Sequence, residues 1–312
     1  MFVGQRWNAL TMSHKRWWLL PALLLTGVLA MTDAAATPVT FNTALPVSRD
    51  EAVVRIQAKS LRATDDSGPM NRKLAVDALP LVVGWGLSAR WTLFGIVPLL
   101  DKRLRVSLPA GHVTRGVRGV GDVTAMLRYT VYQNDQLGRT FRIAPFAALE
   151  MPSGKDDERD SLGHLPATLQ LGSGSWDSLI GIVTTVQSLK TEWGLSTDYK
   201  FNRQANGFQL GDEARIDLSY HRRIAAYNIA GSGPCFLYAG LEDNLVWQNK
   251  NHSGGVNDND SGGTTLYFAP TLQYVTMRTV TGLAVQTPVI QQLNGDALEQ
   301  DFIATLSLRV NF

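Results

Sequence analysis

Counted back from the C-terminus, Phe312, Val310, Leu308, Leu306, Ala304 and Phe302 share one parity, while Asn311, Arg309, Ser307 and Thr305 share the other. Ile303 is the exception. Successive side chains of a strand point to opposite faces, so this period of two predicts a strand with one apolar and one polar face. The pattern recurs. Val123, Ala125, Leu127, Tyr129 and Val131 alternate with Thr124, Met126, Arg128, Thr130 and Tyr132. Trp193, Leu195, Thr197, Tyr199 and Phe201 alternate with Glu192, Gly194, Ser196, Asp198 and Lys200. Ala214, Ile216, Leu218 and Tyr220 alternate with Glu213, Arg215, Asp217, Ser219 and His221, and Val54, Ile56 and Ala58 alternate with Arg55, Gln57 and Lys59. The helical period of 3.6 does not compete with this signal anywhere after the N-terminus.

Marking every such run predicts strands over 51–62, 71–85, 90–98, 121–134, 139–152, 175–188, 190–204, 211–222, 233–248, 263–277, 279–292 and 299–312. Strands of soluble domains run about 5–6 residues, whereas a tilted membrane-crossing strand needs about 9–11. Most of these runs are long enough to cross. Their connections alternate in length. LSAR, NDQL and the junctions after Lys190 and Arg278 are tight; LDKRLRVSLPAGHVTRGVRGV, PSGKDDERDSLGHLPATLQLGSGS and QNKNHSGGVNDNDSGGT are long and polar. RIAAYNIAGSG is longer than its short class. Short turns on one side and long loops on the other mark outer-membrane barrels, and a β-sandwich has no reason to keep that order. The five tryptophans beyond residue 36 (Trp85, Trp91, Trp176, Trp193 and Trp247) fall at or beside strand ends, where amphipathic rings meet headgroups. The run 71–85 resists a clean parity, because Asp77 and Trp85 would share a face, and Pro80 is read as a bulge. The expected fold is all-β: a transmembrane antiparallel up-and-down β-barrel of about 12 strands.

The N-terminus carries a different signal. Lys15 and Arg16 precede an apolar stretch from Leu19 to Met31, and Ala34 and Ala36 supply small residues. This is the layout of a secretory signal peptide over 1–36, cut after Ala36, with Met12 a second candidate start. The apolar stretch is shorter than the ~20 residues of a spanning helix. Residues 37–50 are then a segment in the periplasm or inside the lumen, and 51–312 the barrel. Composition adds little: 45% hydrophobic residues, a formal charge of +2 and one cysteine, Cys235. The charge gives no reason to expect nucleic acid, and one thiol allows no internal disulfide.

LFGIVPLLDK, GVGDVTAMLRY, APFAALEMPSG and GSGSWD together resemble landmarks of outer-membrane transporters of the MetA-pathway of phenol degradation family, in order and spacing from about residue 51 onward. The resemblance implies a bacterial outer-membrane location and a channel for small molecules, aromatic or otherwise apolar compounds among them. It brings no catalytic residue.

The polar parity collects Arg55, Lys59, Arg128, Arg142, Glu150, Asp198, Lys200, Arg215, Asp217 and His221. Facing a lumen, they are candidates to line a pore and set its selectivity, or to pair structurally with one another. On the lipid face an Arg or Lys would cost roughly 2–4 kcal/mol near the midplane. Phe312, last on the apolar parity, is the candidate signal for the outer-membrane barrel assembly machinery. A barrel hydrolase would need His221 beside a serine, and the nearest local motif, Asn251 to Gly254, lies in a glycine-rich loop. The expectation is no enzyme. Asn257 to Gly263 lacks the spacing and terminal Glu of a calcium loop, no His/Cys cluster suggests a metal, and no cofactor is expected. Lys155 to Asp160 reads as a solvated acidic loop tip able to meet lipopolysaccharide through divalent ions. Expected partners are outer-membrane lipids and lipopolysaccharide, the assembly machinery and a small solute. The alternative function is a non-transporting structural or adhesive barrel, with a barrel lipid hydrolase behind it.

Overall fold

The computed structural model describes residues 36–109, 111–229 and 233–312, so the leader read over 1–36 lies outside the described residues except for Ala36. The wall is a closed antiparallel barrel of 12 strands. In chain order these are β1 (Ala52–Ala63), β2 (Lys73–Gly86), β3 (Trp91–Leu108), β4 in three pieces (Gly111–Val120, Val123–Tyr129, Tyr132–Gln136), β5 (Arg139–Met151) and β6 (Asp177–Ser188). The second half holds β7 (Thr191–Phe201), β8 (Glu213–Ile229), β9 (Gly233–Gln248), β10 (Gly263–Val275), β11 (Thr279–Leu293) and β12 (Phe302–Asn311). Each pairs with the next, and β12 returns to β1 with Val53 opposite Asn311 and Arg62 opposite Phe302. Closure leaves no edge, which a lipid-embedded sheet requires because no water is there to satisfy open backbone groups.

The alternation in sequence is the wall itself, turned inside out. Leu81, Leu93, Leu195, Leu218, Leu245 and Leu306 are exposed, whereas Gln57, Thr185, Glu192, Asp217, His221 and Asn244 are buried. Apolar side chains therefore meet lipid and polar ones meet each other. Asp243 stands on the outward parity between Leu218 and Phe268, and nothing in the structure explains it. Exposed Trp85, Trp91 and Trp193 lie at the short-turn end, with Trp91 4.5 Å from Tyr129 and Trp193 4.3 Å from Tyr220 between ring centroids. Trp176 and Trp247, also exposed, lie at the long-loop end. These are the two girdles.

Three sequence expectations change. The strand expected over 90–98 runs on to Leu108, and the loop expected after it folds back as the first piece of β4, with Leu108 opposite Gly111. Above the hydrocarbon the outward side chains of a hairpin no longer face lipid, so the apolar–polar alternation that marks a wall disappears. Much of RIAAYNIAGSG, expected as an over-long connection, is likewise strand: β8 reaches Ile229 and β9 begins at Gly233, with a bulge between Arg223 and Ala225. Pro80 makes no bulge either. The β1–β2 register is unbroken from Ile56↔Leu81 to Lys59↔Ala78, and only the intervening pairs are missing, since proline has no N–H to give. Asp77 and Trp85 do share the outer face. Asp77 simply sits nearer the loops than the apolar band.

Candidate functional site: a plugged lumen

Residues 36–50 run inside the barrel. Ala36 packs against Tyr238, Val275 and Val280, and the chain leaves the lumen where Asp50 N–H donates to the Gly86 carbonyl (2.9 Å). Between these points the segment carries almost no regular backbone pairing, so wall side chains satisfy it. Val39 and Thr40 N–H donate to the two Glu242 oxygens (2.7 and 2.8 Å), and Thr37 N–H donates to Gln273 Oε1 (3.2 Å). Ala44 N–H donates to Thr185 Oγ1 (2.9 Å). In the other direction Arg55 donates to the carbonyls of Pro38 (3.2 Å) and Val39, and Gln57 to that of Val39 (2.9 Å). Arg128 donates to the carbonyls of Thr43 and Leu45, the latter at 2.7 Å, with its guanidinium 4.8 Å from the Phe94 ring centroid. Ala44 and Val47 complete an apolar cluster with Val53, Phe94, Met126, Phe146 and Val183. The segment is a plug.

A charged belt runs beside and above it, from His221 near the turn end to Arg215 nearer the loops. His221 is fully buried, its Nδ1 2.7 Å from Glu192 Oε2 and its Nε2 3.1 Å from Glu242 Oε1. Gly240, opposite His221 on β9, makes the room: a Cβ there would stand 2.2 Å from the imidazole Cδ2. Arg215 reaches Asp217 (3.5 Å) and Glu213 (3.8 Å), with Asp198 opposite it on β7. Asn244 donates to Asp217 (2.8 Å) and Thr40 Oγ1 (3.0 Å), and Gln286 donates to Asn244 (2.8 Å). Between this belt and the loops is a cavity of about 280 Å³ lined by Glu213, Arg215, Tyr267 and Gln300. A second, of about 200 Å³, lies beside the plug near Arg55, Phe94 and Arg128.

The long loop between β5 and β6 covers one side of the mouth. Asp122, where β4 breaks, accepts from Gly154 N–H (2.8 Å) and Ser173 N–H (2.7 Å), and Lys102 donates to the Thr168 carbonyl (3.3 Å). Its own Leu165, Leu169 and Leu171 are buried. Its acidic tip is only partly solvated, because Arg115 grips Asp160 at 2.8 Å.

The sequence-derived candidates thus divide by position. Arg55 and Arg128 hold the plug; Asp198, Arg215, Asp217 and His221 form the belt. Lys200 pairs with Glu150 (3.1 Å) toward the loops, and Arg142 pairs with Asp135 (3.1 Å) at the turn end. Lys59 shares the inward parity of Gln57 and makes no ion pair among the described residues. Sequence reasoning missed Glu242, which joins the plug to His221. LEDNLVW puts Glu242 beside Asp243, and two adjacent acids hide which one faces in. His221 has both ring nitrogens against carboxylates, which leaves neither to take a proton from a serine.

A closed barrel with an apolar exterior, two aromatic girdles and a polar interior defines a bacterial outer-membrane β-barrel. Among solved structures the chain is similar to the COG4313 outer membrane channel from Pseudomonas putida F1, at 17% identity and a TM-score of 0.64, over 89% of this chain and 100% of that one. It is also similar to the NanC porin (11% identity, TM-score 0.45, 83% of this chain and 100% of that one). The β domain of the Bordetella autotransporter BrkA matches at 12% identity and a TM-score of 0.40, over 84% and 99%. No family model and no curated protein matches the sequence. At 17% identity the first of these likenesses speaks for the fold alone.

Proposed function

We propose that this protein is an outer-membrane channel for small solutes, closed at rest by its own residues 36–50 and conducting passively once that segment leaves the lumen. One observation carries the reading: residues 36–50 cross the lumen as a segment apart from the wall, held there by wall side chains. A purely structural barrel of this size has no need of one. Ordering the segment costs about 1–2 kcal/mol per residue, while each hydrogen bond that holds it returns about 1 kcal/mol. Docking is therefore a balance that a solute, a partner or a membrane potential can tip.

The sequence resemblance to phenol-pathway transporters favours aromatic or otherwise apolar solutes. The apolar cluster of Phe94, Met126, Phe146 and Val183 under the plug suits the same class. Planar-bilayer recording and solute flux into vesicles test the proposal. Intact protein should stay mostly closed, and protein lacking residues 37–47 should conduct, with Arg215→Ala changing ion selectivity in that background. A folded, plug-free barrel that passes neither ions nor aromatic solutes would overturn it and leave the structural or adhesive reading.

A further inference from the structure

The outer face of β1–β4 departs from a plain lipid-facing wall at its loop end. Ser60, Arg62, Lys73, Asp77, Asp101, Arg103, Arg105 and Arg118 all stand on the outward parity there, five cations against two carboxylates. The two carboxylates, cross-strand neighbours, are matched within the protein. Arg62 reaches Asp77 at 2.9 Å, and Arg103 reaches Asp101 at 2.9 Å and Asp77 at 3.5 Å. The cations have no such answer. Lys73 lies directly opposite Arg105, and like charges so placed repel. Neither of them, nor Arg118, forms an ion pair among the described residues. A single anion between Lys73 and Arg105 would turn that repulsion into two charge-assisted contacts.

Directly toward the turn end from these charges the wall is hollow. Ala58 and Ser60 form a shallow floor between Leu79 and Leu99 on one side and Leu306 on the other, with Arg118 at the charged end. The groove holds about 660 Å³, within the usual size for a small-ligand site of roughly 300–1,000 Å³. It opens to the hydrocarbon, and its charged end faces the long-loop side, hence the outer leaflet. Apolar groove and unanswered cations together describe one amphiphile.

We propose that this face binds a phosphate-bearing acylated glycolipid of the outer leaflet, a lipopolysaccharide, with an acyl chain along the Ala58–Leu79–Leu306 groove and a phosphate between Lys73 and Arg105. The site is independent of whether the lumen conducts.

The test is lipid retention. Full-length protein extracted from outer membranes in mild detergent is analysed by native mass spectrometry, beside the double variant Lys73→Gln/Arg105→Gln, the groove-filling Ala58→Phe and a control, Lys190→Gln, at a turn on the opposite end. Heat-modifiable gel migration shows that each is folded. Wild-type protein and control should retain glycolipid, and each of the other two should lose roughly tenfold. Re-addition of dephosphorylated glycolipid should restore wild-type binding poorly, which separates the phosphate contact from acyl packing. Equal retention by all four proteins would overturn the site. Retention of a diacyl phospholipid in place of glycolipid would overturn the assignment of its occupant.

Discussion

Glu242 is the residue on which wall and plug meet. One carboxylate accepts from the Val39 and Thr40 amides and also faces His221, so it ties the segment to the belt. Glu242→Gln keeps the shape but turns one acceptor oxygen into a donor that confronts an amide. Losing one charge-assisted bond should cost the docked plug about 2 kcal/mol, roughly a 30-fold shift toward the open state. Single-channel open probability reads this directly, and an unchanged value would remove Glu242 from the latch. Gly240 makes a steric demand on the same cluster. Gly240→Ala places a methyl 2.2 Å from His221 Cδ2 and 2.6 Å from the Tyr220 carbonyl, so the imidazole must move off its two carboxylates. Overpacking of this kind costs about 1–3 kcal/mol, visible as a lower temperature for the loss of the compact gel band.

At the level of strands and loops, the connection between β1 and β2 is held by one ion pair. Arg72 reaches Asp66 at 2.7 Å, and Gly68 N–H donates to the same carboxylate at 3.2 Å. The hydrogen bonds from Arg72 hold the Asp66 carboxyl below its ordinary range despite some desolvation. A carboxyl depressed in the folded state contributes stability that is complete above its unfolded value of about 3.9 and is lost as pH falls through the lower folded value. The loop should therefore resist pepsin at about pH 4 and be cut increasingly as pH drops further, with Arg72→Gln moving the onset upward. Identical profiles for wild type and variant would refute that pairing as the loop's clasp. At the other end of the wall, Phe312 closes β12 on β1 through an N–H bond to the Ala52 carbonyl (2.9 Å). Its ring is exposed, so deleting it removes little packing. Any large loss should be one of assembly, with unassembled protein accumulating in the periplasm; normal insertion of the shortened chain would rule out a recognition role.

As one body the molecule inverts a soluble protein. Its interior holds Arg128, His221, Glu192 and Glu242 fully or almost fully buried, and its exterior holds wall leucines such as Leu245 and Leu306, 36% and 54% exposed. Interior charges are tolerable because they occur in matched clusters with the plug's amides and carbonyls. Exposed leucines are tolerable only in lipid or detergent. The protein should accordingly need detergent to stay dispersed, show a β-rich circular dichroism spectrum and migrate faster on gels unheated than boiled. Solubility in plain buffer would contradict the barrel.

The period of two comes from the strand backbone and needs no knowledge of neighbours, so the wall, its parities and its approximate strand number were legible residue by residue. So were the girdle tryptophans, because a ring that prefers headgroups marks a depth. Strand ends above and below the lipid were not: once the outward side chains no longer face lipid, as in the hairpin from Asp101 to Arg118, nothing forces alternation. The inward residues could be named but not their roles. Arg55 and Arg128 look alike in sequence to Arg142, yet two hold the plug and one pairs with Asp135. The plug is the clearest case. Residues 37–50 have no period, and their partners lie far along the chain, Val39 and Glu242 being 203 residues apart. Only closure of β12 onto β1 brings the β9 wall round to face that segment, and no local pattern encodes a contact that exists solely because a sheet has become a cylinder.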